Sequence, residues 1–162
     1  MQIPGTLFTS YNLWYENAMK MFSINYKKGE IIPAGTLMAD AVLHTGHKSR
    51  LDLTWGETGA RFTIYFQSRF HSGITAEQFA GRLLVRQSLE ELTEGMSDHE
   101  KICIERAVVE PGMSGKAVLV SFGYPPEHFT PSVQGNKWFY WMNRYVKKEL
   151  RFDENGMTIN GM

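Results

Sequence analysis

Histidine and carboxylate side chains are the groups in this sequence best suited to metal binding or acid–base chemistry. The five histidines are His44, His47, His71, His99 and His128. None of them belongs to a His-Glu-x-x-His sequence, the spacing that places two metal ligands on one helix face. Glu127 directly precedes His128 after two prolines, but one adjacent pair is little support for a general acid and base. The sequence therefore predicts no metal site and no catalytic site.

Two nucleophile-bearing residues also have structural explanations. Ser114 lies in Gly112-Met113-Ser114-Gly115, which differs from the Gly-x-Ser-x-Gly sequence of a nucleophile elbow and fits a helix N-cap. The only cysteine, Cys103, sits among apolar residues and is expected to be a small buried hydrophobe. Because one cysteine excludes an internal disulfide and a site with several cysteine ligands, we expect neither a metal nor another cofactor.

The elements that position these groups differ along the chain, and the first part favours β structure. Residues 1–72 contain short alternating or apolar segments separated by turns, at 22–26, 37–45, 51–55 and 62–66. Four or five short strands with tight turns predict a small β-barrel or a curled antiparallel sheet that is SH3-like. With the helices that follow, the expected fold class is α+β.

The middle of the chain has helical patterns. Residues 73–96 are predicted to be a helical connector, and residues 97–162 a separate α+β unit. Capping-box spacing occurs at Thr75 with Gln78 and at Ser97 with Glu100. Ser114 is expected to cap a further helix, which Gly123 would end.

An aromatic strand is predicted at Trp138-Phe139-Tyr140-Trp141. Successive side chains of a strand point to opposite faces, so Trp138 and Tyr140 share one face and Phe139 and Trp141 the other. Helices would cover one face. The second face is also aromatic, so we expect it to meet another layer, either the first half of the chain or a partner protein.

Residues of about 97 to 160 resemble the BamE-type (SmpA/OmlA) family of small outer-membrane lipoproteins. The matching segments are Gly112-Met113-Ser114, Val118-Leu119, Gly123-Tyr124-Pro125-Pro126, Trp138-Phe139-Tyr140 and Phe152-Asp153-Glu154-Asn155-Gly156. The resemblance implies two helices packed on a three-stranded antiparallel sheet. It also implies an envelope location, although the export signal and lipidated cysteine typical of the family do not occur in this sequence.

Composition and charge restrict the partners. The 17 basic and 17 acidic residues give a formal net charge of zero, whereas nucleic-acid and anionic-membrane binders usually have a basic excess. No apolar run approaches the ~18 residues of a membrane span, so we expect no nucleic-acid partner and no transmembrane segment. The first residues lack the regions of a signal peptide. We expect either a periplasmic protein, at the outer-membrane face and lacking its signal, or a cytoplasmic one; membrane attachment would require a lipidated N-terminus.

The function predicted from the sequence is a non-enzymatic, envelope-associated module for protein–protein interaction or scaffolding, linked to outer-membrane assembly or integrity. Its partner would be another envelope protein. The alternative is a small-ligand or peptide-binding module with an aromatic groove between the two halves. An enzyme would need a cleft that holds Glu127, His128 and a further titratable group. The candidate binding residues are Trp14, Tyr26, Tyr124, Glu127, His128, Trp138 and Trp141.

Overall fold

Ten short strands, four helices and one 3-10 turn make up the chain, and the structure, a computed structural model, describes residues 1–162. The strands are β1 (Leu7–Thr9), β2 (Leu13–Tyr15), β3 (Met21–Phe22), β4 (Glu30–Ile32), β5 (Leu37–His44), β6 (Arg50–Trp55), β7 (Arg61–Tyr65), β8 (Leu84–Val85), β9 (Lys137–Trp141) and β10 (Lys147–Arg151). Six of them form a curled half-barrel sheet in the order β3-β7-β6-β5-β1-β8. The predicted α+β class and curled sheet are therefore confirmed.

Three of the four helices begin where the sequence places their caps. They are α1 (Ala76–Leu83), α2 (Leu89–Leu92), α3 (Asp98–Arg106) and α4 (Gly115–Phe122), and the 3-10 turn is Ser68–Phe70. Both predicted capping boxes are present, at Thr75 for α1 and at Ser97 for α3. Ser114 caps α4 by accepting a hydrogen bond from the Ala117 backbone nitrogen. None of the helices has the length and apolarity needed to cross a membrane.

The first hydrophobic core lies between the curled sheet and α1. Alternation along β6 buries Leu51 and Leu53, and α1 contributes Phe79 and Leu83 from one face. Burying one such side chain stabilises the fold by about 1.5–3 kcal/mol relative to its exposure in water. This core therefore fixes the position of α1 and of the polar residues that α1 carries.

The second core belongs to the C-terminal unit. Helices α3 and α4 pack against the β9–β10 hairpin, whose inner face carries Trp138, Tyr140 and Leu150. The ring of Phe122 lies edge-on to that of Tyr140, with the ring centroids 5.3 Å apart. The sequence predicted that helices would cover one face of this strand, and in the structure that face carries Trp138 and Tyr140.

A two-stranded ribbon of β2 and β4 joins the two cores. Leu13 and Ile32 belong to the first core, whereas Trp14 belongs to the second and packs edge-on against Phe122 at 5.3 Å. Because neighbouring residues of a strand face opposite sides, one ribbon covers both cores. The first half of the chain therefore completes the hydrophobic core of the second.

The C-terminal sheet has two strands. The resemblance implied a third strand after the Asn155-Gly156 turn. The turn is present, with the Gly156 backbone nitrogen donating to the Asp153 carbonyl at 3.1 Å. Beyond it the chain makes an isolated bridge between Phe152 and Thr158 instead of a ladder.

Candidate functional site

The turn after β3 supplies polar groups to the junction between the two units. The sequence predicted a strand over residues 22–26, but the strand ends at Phe22 and Asn25 adopts a left-handed backbone conformation with φ 51. The Asn25 side chain accepts from the Trp14 backbone nitrogen at 3.2 Å and donates to the Trp14 carbonyl at 2.9 Å. It thus takes the place of a strand partner, and the turn brings Ser23 and Lys27 to the junction.

Ser23, His71 and Glu127 form a buried chain of hydrogen bonds at this junction. The Nδ1 atom of His71 lies 2.8 Å from Glu127 Oε2, and its Nε2 atom lies 2.8 Å from Ser23 Oγ. An ionised carboxylate can only accept, so His71 donates from Nδ1, and in the neutral ring Nε2 accepts from the Ser23 hydroxyl. Ser23 also accepts from the Gln67 backbone nitrogen at 2.9 Å. Each of the three side chains therefore has its hydrogen-bond partners.

Glu127 is held in its ionised form. Burial alone would raise its pKa, but the hydrogen bonds from His71 and Arg82 outweigh burial and lower the pKa of this carboxyl group. Arg82 donates from Nη1 to Glu127 Oε1. Its guanidinium group lies 4.4 Å from the centre of the Tyr124 ring, so Arg82 and Tyr124 together form the outer wall of the junction.

A small cavity adjoins this hydrogen-bonded chain. Its volume is about 20 Å³, and its walls include Tyr11, Lys27, His71 and Arg82. Roughly 10–15 Å³ is needed to hold one water molecule, so the cavity has room for a water but not for an organic substrate. Burial raises the pKa of Tyr11 and lowers that of Lys27 to about 7.

The order Ser23, His71, Glu127 is the order of groups in a Ser-His-acid catalytic triad. Nucleophilic catalysis requires a substrate at the serine, and here Ser23 is buried beside a water-sized space. The hydrogen bonds among Ser23, His71 and Glu127 instead connect elements that are distant in sequence, since 48 positions separate Ser23 from His71 and 56 separate His71 from Glu127. In this conformation, these hydrogen bonds link the two units to each other.

Glu127 was among the residues predicted from the sequence, but its hydrogen-bond partners were not. Ser23, His71 and Arg82 belong to no local motif, and only the fold brings them to Glu127. Glu127 and His128, which are adjacent in sequence, take part in different contacts. The Nδ1 atom of His128 is buried without a hydrogen-bond partner, so the two residues do not act as one acid–base pair.

The second face of the aromatic strand is covered in part by the loop between α4 and β9. The His128 ring stacks on the Trp141 ring, with the ring centroids 5.8 Å apart. The centroid of the Phe129 ring lies 5.6 Å from that of Trp141 and 6.4 Å from that of Phe139. Burial lowers the pKa of His128. The chain thus supplies part of the second layer that the sequence required, from a segment other than its first half.

The rest of this face is open to solvent and rich in cations. Tyr145 is 79% exposed and Phe129 is 44% exposed. The ammonium group of Lys147 lies 3.7 Å from the centre of the Phe129 ring. We call this region the hairpin surface; it comprises Phe129, Lys137, Phe139, Trp141, Arg144, Tyr145, Val146, Lys147 and Arg151. Four of these residues are basic, and Glu149, which lies opposite Phe139 on the same face, is the single acidic residue of the hairpin.

The remaining predicted binding residues occupy separate environments. Trp14 and Trp138 are buried in the second core, Tyr26 is half-buried in the turn before β4, and Tyr124 is partly exposed beside Arg82. The structure therefore brings His128 to Trp141 and Tyr124 near Glu127, but it does not join all seven residues in one groove. Their roles in binding stay predictions.

A second polar cluster lies on the outer face of the curled sheet. His44 Nε2 is 2.9 Å from Asp52 Oδ2, and the Thr63 hydroxyl donates to Asp52 Oδ1 at 2.8 Å. The cluster lines an open depression of about 610 Å³ that also contains Arg50 and Arg61. The Asp52 carboxylate is bound by neighbours in its own sheet. His47, on the other side of the β5–β6 turn from His44, does not line the depression, so the two histidines do not act together there.

Comparison of the chain with models of known protein families, with curated proteins and with solved structures finds no match in any of the three. The resemblance to the BamE-type family stays a prediction from the residues of the C-terminal unit.

Proposed function

We propose that this protein is a non-enzymatic, envelope-associated interaction module, and that its hairpin surface docks an acidic face of another envelope protein. The observation that supports this proposal is the exposed combination of aromatic rings with four cations against one carboxylate, in a chain whose formal net charge is zero. Aromatic residues and arginine are enriched at protein interfaces. A local basic excess speeds and orients association with an acidic partner.

The rings of the hairpin surface are held in place before any partner arrives. Phe129 packs on Trp141, and Lys147 lies over both Phe129 and Phe139, at 3.7 Å and 4.9 Å from the ring centres. Side chains that are already ordered lose less conformational entropy on binding. Phe129 is therefore one proposed anchor, and Tyr145, which is 79% exposed, is the other; the lysines would surround them.

Docking would use side chains and not an added strand. The outer edge of β10 is already occupied, because Asn160 accepts from the Arg151 backbone nitrogen and donates to the Glu149 carbonyl, each at 2.8 Å. On β9, the Phe139 backbone nitrogen donates to the Thr130 hydroxyl at 2.9 Å. These contacts leave few free backbone groups for a partner strand.

Site-specific photo-crosslinking in cells tests the proposed surface. A photoreactive residue at Tyr145 should give a discrete protein adduct in the envelope fraction, whereas the same residue at Thr58, in the exposed β6–β7 turn, should not. The double charge reversal Arg144→Glu and Lys147→Glu should abolish the Tyr145 adduct, and the single reversal Lys48→Glu in the β5–β6 turn should preserve it. Equal adducts from Tyr145 and Thr58, or an adduct insensitive to the double reversal, would count against the proposal.

The envelope location is proposed from the family resemblance and needs its own experiment. Fractionation of cells that express the native coding sequence at its natural level should place the protein in the periplasm or with the outer membrane. Recovery in the cytoplasmic fraction would contradict the location while leaving the hairpin surface to be tested with cytoplasmic partners.

A small-ligand site at the junction is a second candidate function. Three groups with shifted pKa values, Tyr11, Lys27 and Glu127, surround the cavity, and such groups gather at binding sites as well as in structural networks. A ligand would have to displace Tyr124 from Arg82. Ligand-observed NMR with small phenols and carboxylates would support this candidate if binding is lost in Lys27→Met and retained in the surface variant Lys28→Met.

A further inference from the structure

Three side chains of different chemistry converge on one side of α3. His99 and Cys103 are four residues apart and lie one turn apart on the same helix face. Glu110 reaches them from the loop that follows. The sulfur atom of Cys103 is 3.9 Å from Nε2 and 4.0 Å from Nδ1 of His99, and His99 Nε2 is 3.7 Å from Glu110 Oε2. One ligand atom from each residue can be chosen so that all three lie within 4.8 Å of one another.

We propose that His99, Cys103 and Glu110 bind a divalent transition-metal ion of the Zn²⁺ class, with a fourth position open to water. Zn²⁺ lies about 2.3 Å from sulfur and about 2.0–2.2 Å from nitrogen or oxygen ligands. The ligand atoms of a tetrahedral site are therefore roughly 3.4–3.6 Å apart. The two separations that involve His99, 3.9 Å to sulfur and 3.7 Å to Glu110 Oε2, are close to this spacing. Because all three ligand atoms lie within 4.8 Å of one another, side-chain rotations would complete the site.

The chain path that brings Glu110 to α3 is fixed by backbone contacts. Ala107 ends α3 in a left-handed conformation with φ 53, which turns the chain back along the helix. Val109 and Met162 exchange two backbone hydrogen bonds, at 2.9 Å and 2.8 Å. The Glu110 carbonyl accepts from the Thr158 hydroxyl at 2.7 Å. The ligand from the loop is therefore placed without relying on the ion.

The carboxylate is also oriented. Arg106 lies 3.5 Å from Glu110 Oε1, whereas the other oxygen, Oε2, is the one near His99. Such neighbouring contacts commonly hold the ligands of metal sites in position. The Nε2 atom of His99, which is the ligand atom nearest Glu110, also lies 3.3 Å from the Pro111 carbonyl, and it would give up that contact on binding the ion.

Exposure defines how an ion would enter. His99 is 46% exposed and Glu110 is 39% exposed, while Cys103 is fully buried beneath them. An ion would first meet the imidazole and the carboxylate and then the thiol, which loses its proton on binding. A set of one sulfur, one nitrogen and one oxygen favours Zn²⁺, and Co²⁺ as its spectroscopic substitute, over Mg²⁺ or Ca²⁺, which prefer oxygen alone.

This inference differs from the sequence-based expectation of no metal, and it is independent of the proposed docking function. The His99 and Cys103 pair has helix spacing in the sequence, but a pair is a weak signal. Glu110 lies outside α3, so its approach to the pair depends on the left-handed turn at Ala107. The third ligand is what makes the pair a candidate site.

Metal titration of the purified full-length chain, first stripped with a chelator, tests the site. Addition of Co²⁺ should produce a thiolate-to-cobalt charge-transfer absorption in the near ultraviolet, and Zn²⁺ should remove it by displacement. Zn²⁺ affinity is measured by competition with a chromophoric chelator. Zn²⁺ should also raise the melting temperature, because it binds the folded chain.

Matched variants separate a built site from accidental binding. Each of His99→Gln and Glu110→Gln should weaken Zn²⁺ binding by at least about tenfold, since even residues that only support ligands contribute that much. Cys103→Ser should remove the charge-transfer band. The controls His47→Gln, in the exposed β5–β6 turn, and Glu105→Gln, on exposed α3 surface, should leave affinity unchanged.

Because Cys103 is buried, Cys103→Ser could unfold the chain, and circular dichroism of each variant identifies that case. His99 and Glu110 are partly exposed, so their variants keep the test decisive. Absence of a charge-transfer band in the wild-type chain would overturn the proposal. So would Zn²⁺ affinity that is the same in His99→Gln, Glu110→Gln and the two controls.

Discussion

His71 Nδ1 lies 2.8 Å from Glu127 Oε2, although 56 positions separate the two residues in the chain. His71 lies between the curled sheet and α1, and Glu127 belongs to the loop of the C-terminal unit. Arg82 of α1 binds the other oxygen of the same carboxylate. The buried Glu127 carboxylate therefore links three segments, and we expect its removal to lower the stability of the whole fold.

We expect Glu127→Ala to lower the free energy of unfolding by about 3 kcal/mol. Removing one member of a buried ion pair costs about 3–5 kcal/mol, and Arg82, which is partly exposed, can regain some hydration. Urea unfolding at pH 7 measures the loss. Glu57→Ala in the exposed β6–β7 turn is the control and should change stability by no more than about 0.5 kcal/mol. Equal losses in the two variants would contradict the role assigned to Glu127.

The same carboxylate should make stability depend on acid pH. Its pKa in the folded chain is below the ordinary value of 4.5, so the unfolded chain binds more protons as the pH falls past that value. The contribution of Glu127 is complete above pH 4.5 and is lost as the pH falls through the lower folded pKa. Unfolding free energies of wild type and Glu127→Gln should therefore converge as the pH decreases. A constant difference between them across that range would refute the assignment.

Lys27 should produce a pH dependence of the same sign on the alkaline side. Burial lowers its pKa from 10.5 to about 7, so between these values the unfolded chain carries a proton that the folded chain has lost. Stability should rise with pH across this window relative to Lys27→Met, which has no group to titrate. Guanidinium unfolding of the two proteins at several pH values measures the difference. Parallel pH profiles would show that the Lys27 ammonium keeps an ordinary pKa.

Ser23 should behave as a structural hydroxyl. A fluorophosphonate reagent, which labels activated serines, should not modify it, because the neighbouring cavity of about 20 Å³ cannot admit the reagent. Ser23→Ala should lower the free energy of unfolding by about 1 kcal/mol through the lost hydrogen bonds, whereas the exposed Ser72→Ala should have little effect. Covalent labelling that disappears in Ser23→Ala would instead identify an enzyme.

Trp14 should stabilise the C-terminal unit although it belongs to the first half of the chain. Its ring is buried against Phe122 in the second core, so Trp14→Ala should cost about 3–5 kcal/mol in urea unfolding. Trp55 of β6 is only half-buried, and Trp55→Ala is the matched control with a smaller expected loss. A larger loss for Trp55→Ala would show that the β2–β4 ribbon is not shared between the cores.

Local determinants made much of the fold predictable. The capping boxes at Thr75 and Ser97, the Ser114 cap and the Gly123 end of α4 are all where the sequence places them. Each depends on hydrogen bonds or backbone angles within about one turn of helix. Strands β5, β6 and β7 were likewise predictable, because alternation and turn residues act over a few positions. The prediction of a strand over residues 22–26 was wrong, since the Asn25 side chain binds the backbone of Trp14, a residue outside that segment.

The candidate sites were decided by tertiary structure. The sequence by itself determined that Glu127 follows two prolines, that His99 and Cys103 are four residues apart, and that the aromatic strand has two apolar faces. Only the tertiary structure brings His71 and Arg82 to Glu127, and Glu110 to His99 and Cys103. It also packs Phe129 against Trp141. Polar partners far apart in sequence leave no periodic pattern. For His71 and Arg82, the burial of Glu127 decides the pairing, because a charged group removed from water must find a partner wherever the chain path provides one.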